Sequence, residues 1–488
     1  MELIKINKIK SFCIKNLKTI YLILSIAFLL PSIIYWAKYK TIKEYEVNYV
    51  FSSIENRWKD MLIYLIILIL WCFAYYLILK YSRKLFKDKK ILFRYIIIIS
   101  IIFIIALPFT SSDIFYYIGV GRIDGGYGQN PYIESIYSFC TNTENTEILK
   151  SDTALQKGLE NDWAKETVVY GAVWSFISKI VGFLSFGNID IAVLILKLFC
   201  VIAHLLNVYL IYKLASEKKI FALIYGINPF ILVEGIANAH NDIFVLTFCL
   251  FSIYFCIKKK NIFISVLFLA LATSIKYFTI LLLPLVIIYY YRKQKLKTRI
   301  IACLKYGILF LIFVFILYLP YFYDIEIFKN MLVQQSKISK SLYLYLYAIN
   351  ENLVEKTYKI LFLVFAGFYI AYCFYLLFKK KISFRKEIRK IFYFFIAFMF
   401  LIITNFQTWY IMWLFILIIW QKAENVRLII YMANISQISI WIYFLKGNYY
   451  FYGIIYVLTF VFLIVLRNLI LKYLEVKTLS IKKERGKI

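Results

Sequence analysis

Histidine is nearly missing from this chain of 488 residues: there are two, His204 and His240, which excludes a histidine-rich metal centre. The eight cysteines are scattered singly, without a Cys-x-x-Cys pair, and most sit inside apolar runs. Neither a disulfide framework nor a zinc site can be read from that spacing. Acidic side chains are also scarce, 27 against 58 lysines and arginines, for a formal charge of +31. Missing too are the short alternating segments that mark an outer-membrane barrel.

What fills the sequence instead is apolar: 63% hydrophobic and 20% aromatic residues, in continuous runs that recur along the whole length. A bilayer core requires roughly 17–25 apolar residues per helix, and no soluble domain of this size hides so much apolar surface in one core. The expected fold is all-α, a polytopic integral membrane protein. The basic excess does not point to nucleic acid, because it clusters in short connections: "YSRKLFKDKK" (81–90), "KKKN" (258–261), "RKQKLKTR" (292–299), "KKKISFRKEIRK" (379–390) and the tail from Arg467. Cytoplasmic loops carry that bias. The apolar run around Ile23 lacks a small-residue cleavage site and reads as a retained first helix.

Placing the basic connections in the cytoplasm predicts helices over about 18–37, 61–80 and 91–109, which leaves residues 110–167 outside. That loop holds nine acidic residues against four basic ones, the reverse of the cytoplasmic bias. It also places Cys140 outside, where a thiol reagent is expected to reach it. The apolar stretch 168–185 reads as an amphipathic juxtamembrane helix along the outer surface, which keeps "KLASEKK" (213–219) and "KKKN" inside. Further spans follow near 191–212, 220–236, 243–257, 262–275, 276–291, 300–320, 357–378, 390–405, 408–421, 427–445 and 449–470. The expected total is about fourteen transmembrane helices with both termini inside. The chain then divides into N-terminal helices (1–110), a first large outer loop (111–190), a transmembrane core (191–320), a second outer loop (321–356), and C-terminal helices with a basic tail (357–488).

This path brings four polar features to one face: Asp113, "NAHND" (238–242), Lys276 and "NFQTWY" (405–410). An ionisable residue at a membrane boundary is functional by default, although Ser112 or Asp113 serves equally as the cap of a helix "DIFYYIGVGRI". Five of the sixteen glycines lie between Gly119 and Gly128. Their spacing fits neither the dinucleotide fingerprint nor Walker A, and they read as a turn-rich, close-packed backbone, with Asn130-Pro131 opening a new segment. Glu234, Asn238, His240, Asn241 and Asp242 put five polar groups into nine residues beside a short span. Lys276, flanked by apolar residues, either snorkels to the headgroups or binds a phosphate as a point charge.

Five segments, in order, carry a resemblance: "SSDIFYYIGVGRIDGGYGQNPY" (111–132), "VVYGAVWSFIS" (168–178), "NPFILVEGIANAHND" (228–242), "SIKYFTILLLPL" (274–285) and "FQTWYIMW" (406–413). Together they resemble the polyprenyl-phosphate-sugar-dependent glycosyltransferases of the GT-C superfamily, and most of all the bacterial polyprenyl-phosphate-mannose mannosyltransferases. Two departures stand out: Ala172 replaces the usual Pro of the second segment, and Thr408 stands where a Pro often precedes Trp-Tyr.

The resemblance implies a GT-C-like fold and an inverting hexosyltransferase whose general base is Asp113. It implies that Tyr116, Tyr117, Asn130, Tyr132 and Tyr170 shape the pocket, and that Asn238, His240 and Asp242 assist acceptor or phosphate binding. Lys276 and Arg122 are the candidates for the lipid phosphate, and Trp409 and Tyr410 complete the donor and acceptor site. No cofactor or metal is expected. The expected partners are a polyprenyl-phosphate-sugar donor, a glycan, glycolipid or protein acceptor, and membrane lipids. The chemistry is self-consistent: a polyprenyl phosphate is a good leaving group, so one base suffices and the paired carboxylates of glycosidases are unnecessary. The rival class is a flippase or transporter, but no internal repeat is evident and the polar residues gather at one face rather than the midplane.

Overall fold

An apolar chain in lipid must satisfy its backbone internally, which leaves helices as the simplest solution. The computed structural model describes residues 2–43, 57–108, 110–323, 343 and 350–446. Among them every regular element is helical and no strand occurs. Four helices are long and apolar enough to cross a membrane: Leu62–Leu85, Ile189–Leu214, Leu296–Tyr321 and Asn352–Phe378. Two bent pairs, Ile14–Phe28 with Leu30–Tyr39 and Lys219–Gly226 with Ile231–Ala237, raise the number to six.

Several of the expected spans are shorter than hydropathy suggests. Ile262–Thr273, Tyr277–Tyr290 and Thr408–Trp420 are apolar but brief. At 1.5 Å per residue, twelve residues of α-helix reach only about 18 Å, well short of the roughly 30 Å hydrocarbon core. The described residues thus form an all-helical protein with four to six candidate membrane spans. The expected span near 449–470, the basic tail beyond it and most of the 321–356 loop lie outside the described residues.

The helix ends sort into two groups. At one end, Lys219 Nζ donates to the carbonyls of Phe86 and Lys87 at 2.7 and 2.6 Å, and Tyr290 bonds the Lys260 carbonyl. Arg299 binds the carbonyls of Arg292, Leu377 and Lys379, and Arg389 that of Trp420. Those are the basic connections. At the other end, Thr41 and the Ile42 amide bond Asp190, the Leu107 amide bonds Ser32, and Asn130 bonds the Tyr321 carbonyl. Segment 110–188 and the polar clusters gather there.

The bend between Lys219–Gly226 and Ile231–Ala237 measures 60°. Pro229 cannot continue the hydrogen-bond ladder, and the carbonyls it frees are met by side chains from other helices. Tyr75 donates to Ile224, Tyr21 to Ile227, and His204 Nε2 lies 3.1 Å from the Gly226 oxygen. One of the two histidines is therefore spent on holding a broken span together.

The glycine-rich stretch is a helix, Asp113–Tyr127, and not the turn-rich backbone expected from its composition. Its glycines face other backbones. A Cβ at Gly121 would fall on the Ser178 carbonyl, one at Gly125 on the Lys179 carbonyl, and one at Gly182 on the Gly121 carbonyl. The partner is the helix Ala172–Leu184, whose one face packs inward while Phe176 and Phe183 remain exposed. Only Gly128 is used for its conformation, closing the helix at φ +69 with its amide on the Asp124 carbonyl. Cys140, expected to be reachable, is buried in the short helix Ile136–Thr141, and burial pushes its thiol up to about 11.

Replacing Gly121 by Ala forces these two helices apart. The expected cost is about 1–3 kcal/mol, typical of overpacking, read as a lower melting temperature of the detergent-solubilised protein. Ala at the open Gly307, where nothing lies within 4 Å of an added Cβ, is the control and should leave the melting temperature unchanged.

Candidate functional site

Asp113 is the first residue of its helix, and Ser112 before it makes no side-chain cap. The carboxylate turns instead to side chains. Tyr117, one turn on, donates to Oδ2 at 3.3 Å, and its hydroxyl lies 3.4 Å from that of Tyr170. Burial pushes both phenols well above their ordinary value, and the Asp113 charge adds to it. They therefore remain protonated donors.

The second contributor is the reversal at 238–241. The π-helical turn Ile231–Ala237 ends at Asn238, Ala239 takes a left-handed φ of 54, and the helix Asp242–Tyr254 begins two residues after His240. A non-glycine residue at that φ costs roughly 1–2 kcal/mol. It lets the chain reverse within four residues and lays Glu234, His240 and Asp242 around one point. His240 Nδ1 is 3.8 Å from Asp113 Oδ2, and Nε2 is 3.2 Å from Glu234 Oε2. The Glu234 carboxylate is also bonded by Asn238 at 2.8 Å, Thr110 at 3.3 Å and Gln437.

The third contributor is a pair of helix starts. Lys276, just ahead of Tyr277–Leu282, grips both Asp242 oxygens at 2.8 and 2.9 Å. Thr408–Trp420 is a 3-10 helix of 13 residues, longer than such helices usually run. Its three-residue period eclipses side chains at i and i+3, which stacks Tyr410 on Trp413 with centroids 4.5 Å apart. The Lys276 ammonium sits 4.4 Å from the Tyr410 ring and 5.5 Å from that of Trp413. The Trp413 indole donates to Asp242, Phe278 stacks on Trp413 at 3.7 Å, and Trp409 stacks on His240 at 3.9 Å.

The expected residues thus separate into groups. Asp113, Tyr117, Tyr170, Asn238, His240, Asp242, Lys276, Trp409 and Tyr410 converge. Tyr116 anchors the loop through the Glu166 and Thr167 carbonyls. Tyr132 donates to the Tyr170 carbonyl at 2.8 Å and so steadies a neighbour of the cluster. Asn130 ties the loop to Tyr321. Arg122 lies apart. It is nine residues beyond Asp113, about 13 Å along the helix and half a turn round it. Its guanidinium is engaged by Asp152 at 2.5 Å and by the Gly182 carbonyl. Sequence reasoning left out Thr110, Gln437 and Trp413, and it noted Glu234 only as one of the polar groups of 234–242, without a site role. Glu234 had a signal, a lone carboxylate inside the apolar run "ILVEGIA"; Gln437 had none.

A membrane-embedded helical protein with a carboxylate-, lysine- and aromatic-lined cluster at one end has the makings of an enzyme acting at a membrane surface. Residues 33–292 match the family model described as the N-terminal domain of alpha-(1->6)-mannopyranosyltransferases. That match covers more than half of the chain, and the protein belongs to this family of GT-C-type mannosyltransferases. It is therefore a glycosyltransferase that takes a sugar donor and a glycan acceptor. No curated protein and no solved structure matches the chain. The matched segment includes Asp113, Glu234, His240, Asp242 and Lys276, whereas Trp409, Tyr410 and Trp413 fall beyond it.

The Asp242–Lys276 pair is testable as a unit. Asp242→Asn leaves a buried ammonium without its partner and should cost about 3–5 kcal/mol, measured as a fall in thermal stability. Asp242→Asn combined with Lys276→Met, which removes both charges, should recover most of that loss.

Proposed function

We propose that the protein transfers a mannosyl residue from a polyprenyl-phosphate donor to an extracytoplasmic glycan acceptor by single displacement, with Asp113 as general base. The observation that carries this is the difference in access among the three clustered carboxylates. The Asp113 side chain is 15% exposed, whereas Glu234 and Asp242 are both at 0%. An acceptor hydroxyl arriving at the cluster therefore meets Asp113 first. Lys276, 11% exposed, is the cation in reach of a leaving phosphate, with Asp242 holding it in place until that charge develops. Tyr117 and Tyr170 orient the base, and Trp409 and Tyr410 offer aromatic faces to a sugar ring.

One in-line displacement inverts the anomeric centre, so an α-linked product, the linkage in the family's name, requires a β-linked donor. The gathering of the basic connections at the end opposite the cluster supports an extracytoplasmic site, and no nucleotide sugar is available there. The outer loop 111–190 gives the site Asp113, Tyr117 and Tyr170, the core 191–320 gives it Glu234, His240, Asp242 and Lys276, and the C-terminal part gives it Trp409 and Tyr410. Apolar faces left open on Leu296–Tyr321 and Asn352–Phe378 suit a multi-pass protein in a cell membrane and a polyprenyl chain lying between its helices.

Membranes carrying Asp113→Asn should transfer mannose from polyprenyl-phosphate-mannose at least about 100-fold more slowly than wild type, with unchanged protein level; retained transfer would remove Asp113 as the base. Supplying GDP-mannose in place of the lipid donor, with lipid-linked mannose synthesis blocked, should give no product. The site's face can be read independently at Glu144, an exposed residue of the outer loop. Glu144→Cys should react with an impermeant maleimide on intact cells, while wild-type protein, with Cys140 buried, should stay largely unlabelled. Labelling of Glu144→Cys only after permeabilisation would place the loop inside.

A further inference from the structure

Resting on the reading of Asp113 as the base, we infer that His240 is a proton relay for the transfer step and that Glu234 is its positioning residue. His240 is fully buried and neither ring nitrogen has a partner in hydrogen-bond geometry. Each nitrogen nonetheless faces a carboxylate, Nδ1 towards Asp113 at 3.8 Å and Nε2 towards Glu234 at 3.2 Å. Contacts of this kind are commonly long in the unliganded state and tighten when substrate binds. The ring plane is set by Trp409, stacked on it at an interplanar angle of 16°.

Glu234 has the features of a fixed anion. Asn238, Thr110 and Gln437 hold its two oxygens, and among the described residues no lysine or arginine pairs with it. A buried carboxylate without a cation is costly. The imidazole of His240 is the group beside it that becomes a cation by taking one proton. In the relay the proton on Nε2 faces Glu234 and the Nδ1 lone pair faces Asp113, an acid–histidine–acid series built from three separate elements.

The balance of the step is simple. The acceptor O–H bond breaks and its proton passes to Asp113 Oδ2 as the oxygen bonds the anomeric carbon. The bond from that carbon to the phosphate oxygen breaks, and its electron pair stays on the phosphate. The proton then moves from Asp113 to His240 Nδ1, which restores the Asp113 carboxylate and makes an imidazolium held by Glu234. It leaves afterwards to the released phosphate or to water. Other charged or titratable groups around this series are Tyr117 on the Asp113 helix, Tyr170 from the segment before Ala172, and the Asp242–Lys276 pair. Tyr410 faces it from the 3-10 helix.

The test uses the full chain in membranes, with polyprenyl-phosphate-mannose as donor and a synthetic α-mannoside as acceptor. Rates are measured against pH for wild type, Asp113→Asn, Glu234→Gln, Glu234→Asp and His240→Gln. Glu234→Gln should lower kcat by about 10- to 100-fold with donor KM nearly unchanged. The acid limb of its rate profile should differ from that of wild type, because the carboxylate facing Nε2 is gone. Glu234→Asp should restore part of the rate and the wild-type limb, and His240→Gln should lose that limb. If Glu234→Gln fails to yield folded protein, the limb in Glu234→Asp and His240→Gln decides. Wild-type pH profiles in the Glu234 and His240 variants, with Asp113→Asn inactive, would overturn the relay and leave the base standing. An active Asp113→Asn would instead remove the base itself.

Discussion

Helices that stop inside the protein impose the constraint on which the rest of this structure depends. A helix of twelve residues cannot cross a bilayer, so its unpaired backbone groups must be satisfied by other parts of the chain. The helix Ile262–Thr273 ends at Ser274, whose carbonyl accepts from the Val173 amide, while Gly171 donates to the next carbonyl, that of Ile275. A segment of the large loop therefore completes a membrane helix. At the bend before Ile231 the same need draws in Tyr21, Tyr75 and His204. Where several such ends meet, polar side chains become affordable in an apolar protein, and the candidate site lies at that meeting.

Charge at the site follows the same logic. Three carboxylates and one lysine share a small volume. Asp242 and Lys276 neutralise one another inside a box of Tyr410, Trp413 and Phe278. That leaves Glu234 and Asp113 with His240 between them. Asp242 holds the Lys276 ammonium in one place, so the cation is pre-positioned. The aromatic walls keep water away and strengthen these interactions.

The sequence made much of this legible, for definable reasons. Apolar runs and basic connections announced an all-helical membrane protein, because both follow from transfer free energies that act locally. Asp113, His240, Asp242 and Lys276 were found as polar residues in places where a bilayer penalises them. The failures were of another kind. The glycines of 119–126 suggested turns, since composition reports what glycine permits; that they serve helix–helix contact depends on Ser178 and Lys179, some fifty residues away. Arg122 was assigned to a phosphate because its charge was visible and its partner Asp152 was not. The helices expected at 262–275 and 408–421 appear with nearly those bounds, but the second is 3-10, a winding that hydropathy does not register.

The close glycine contacts also bear on Asp113. Gly121 and Gly125 bring the Asp113–Tyr127 helix against Ser178 and Lys179, and Gly182, one turn further along the same partner helix, admits the Gly121 carbonyl. Backbones in direct contact cannot roll past one another as side-chain layers can, so the rotational setting of the helix is fixed. One residue of rotation is about 100°, enough to carry Asp113 away from Tyr117's partner Tyr170 and from His240. The carboxylate sits in the first turn of that helix. A glycine face eight to twelve residues downstream thus acts on the site without touching it, by deciding which way Asp113 points.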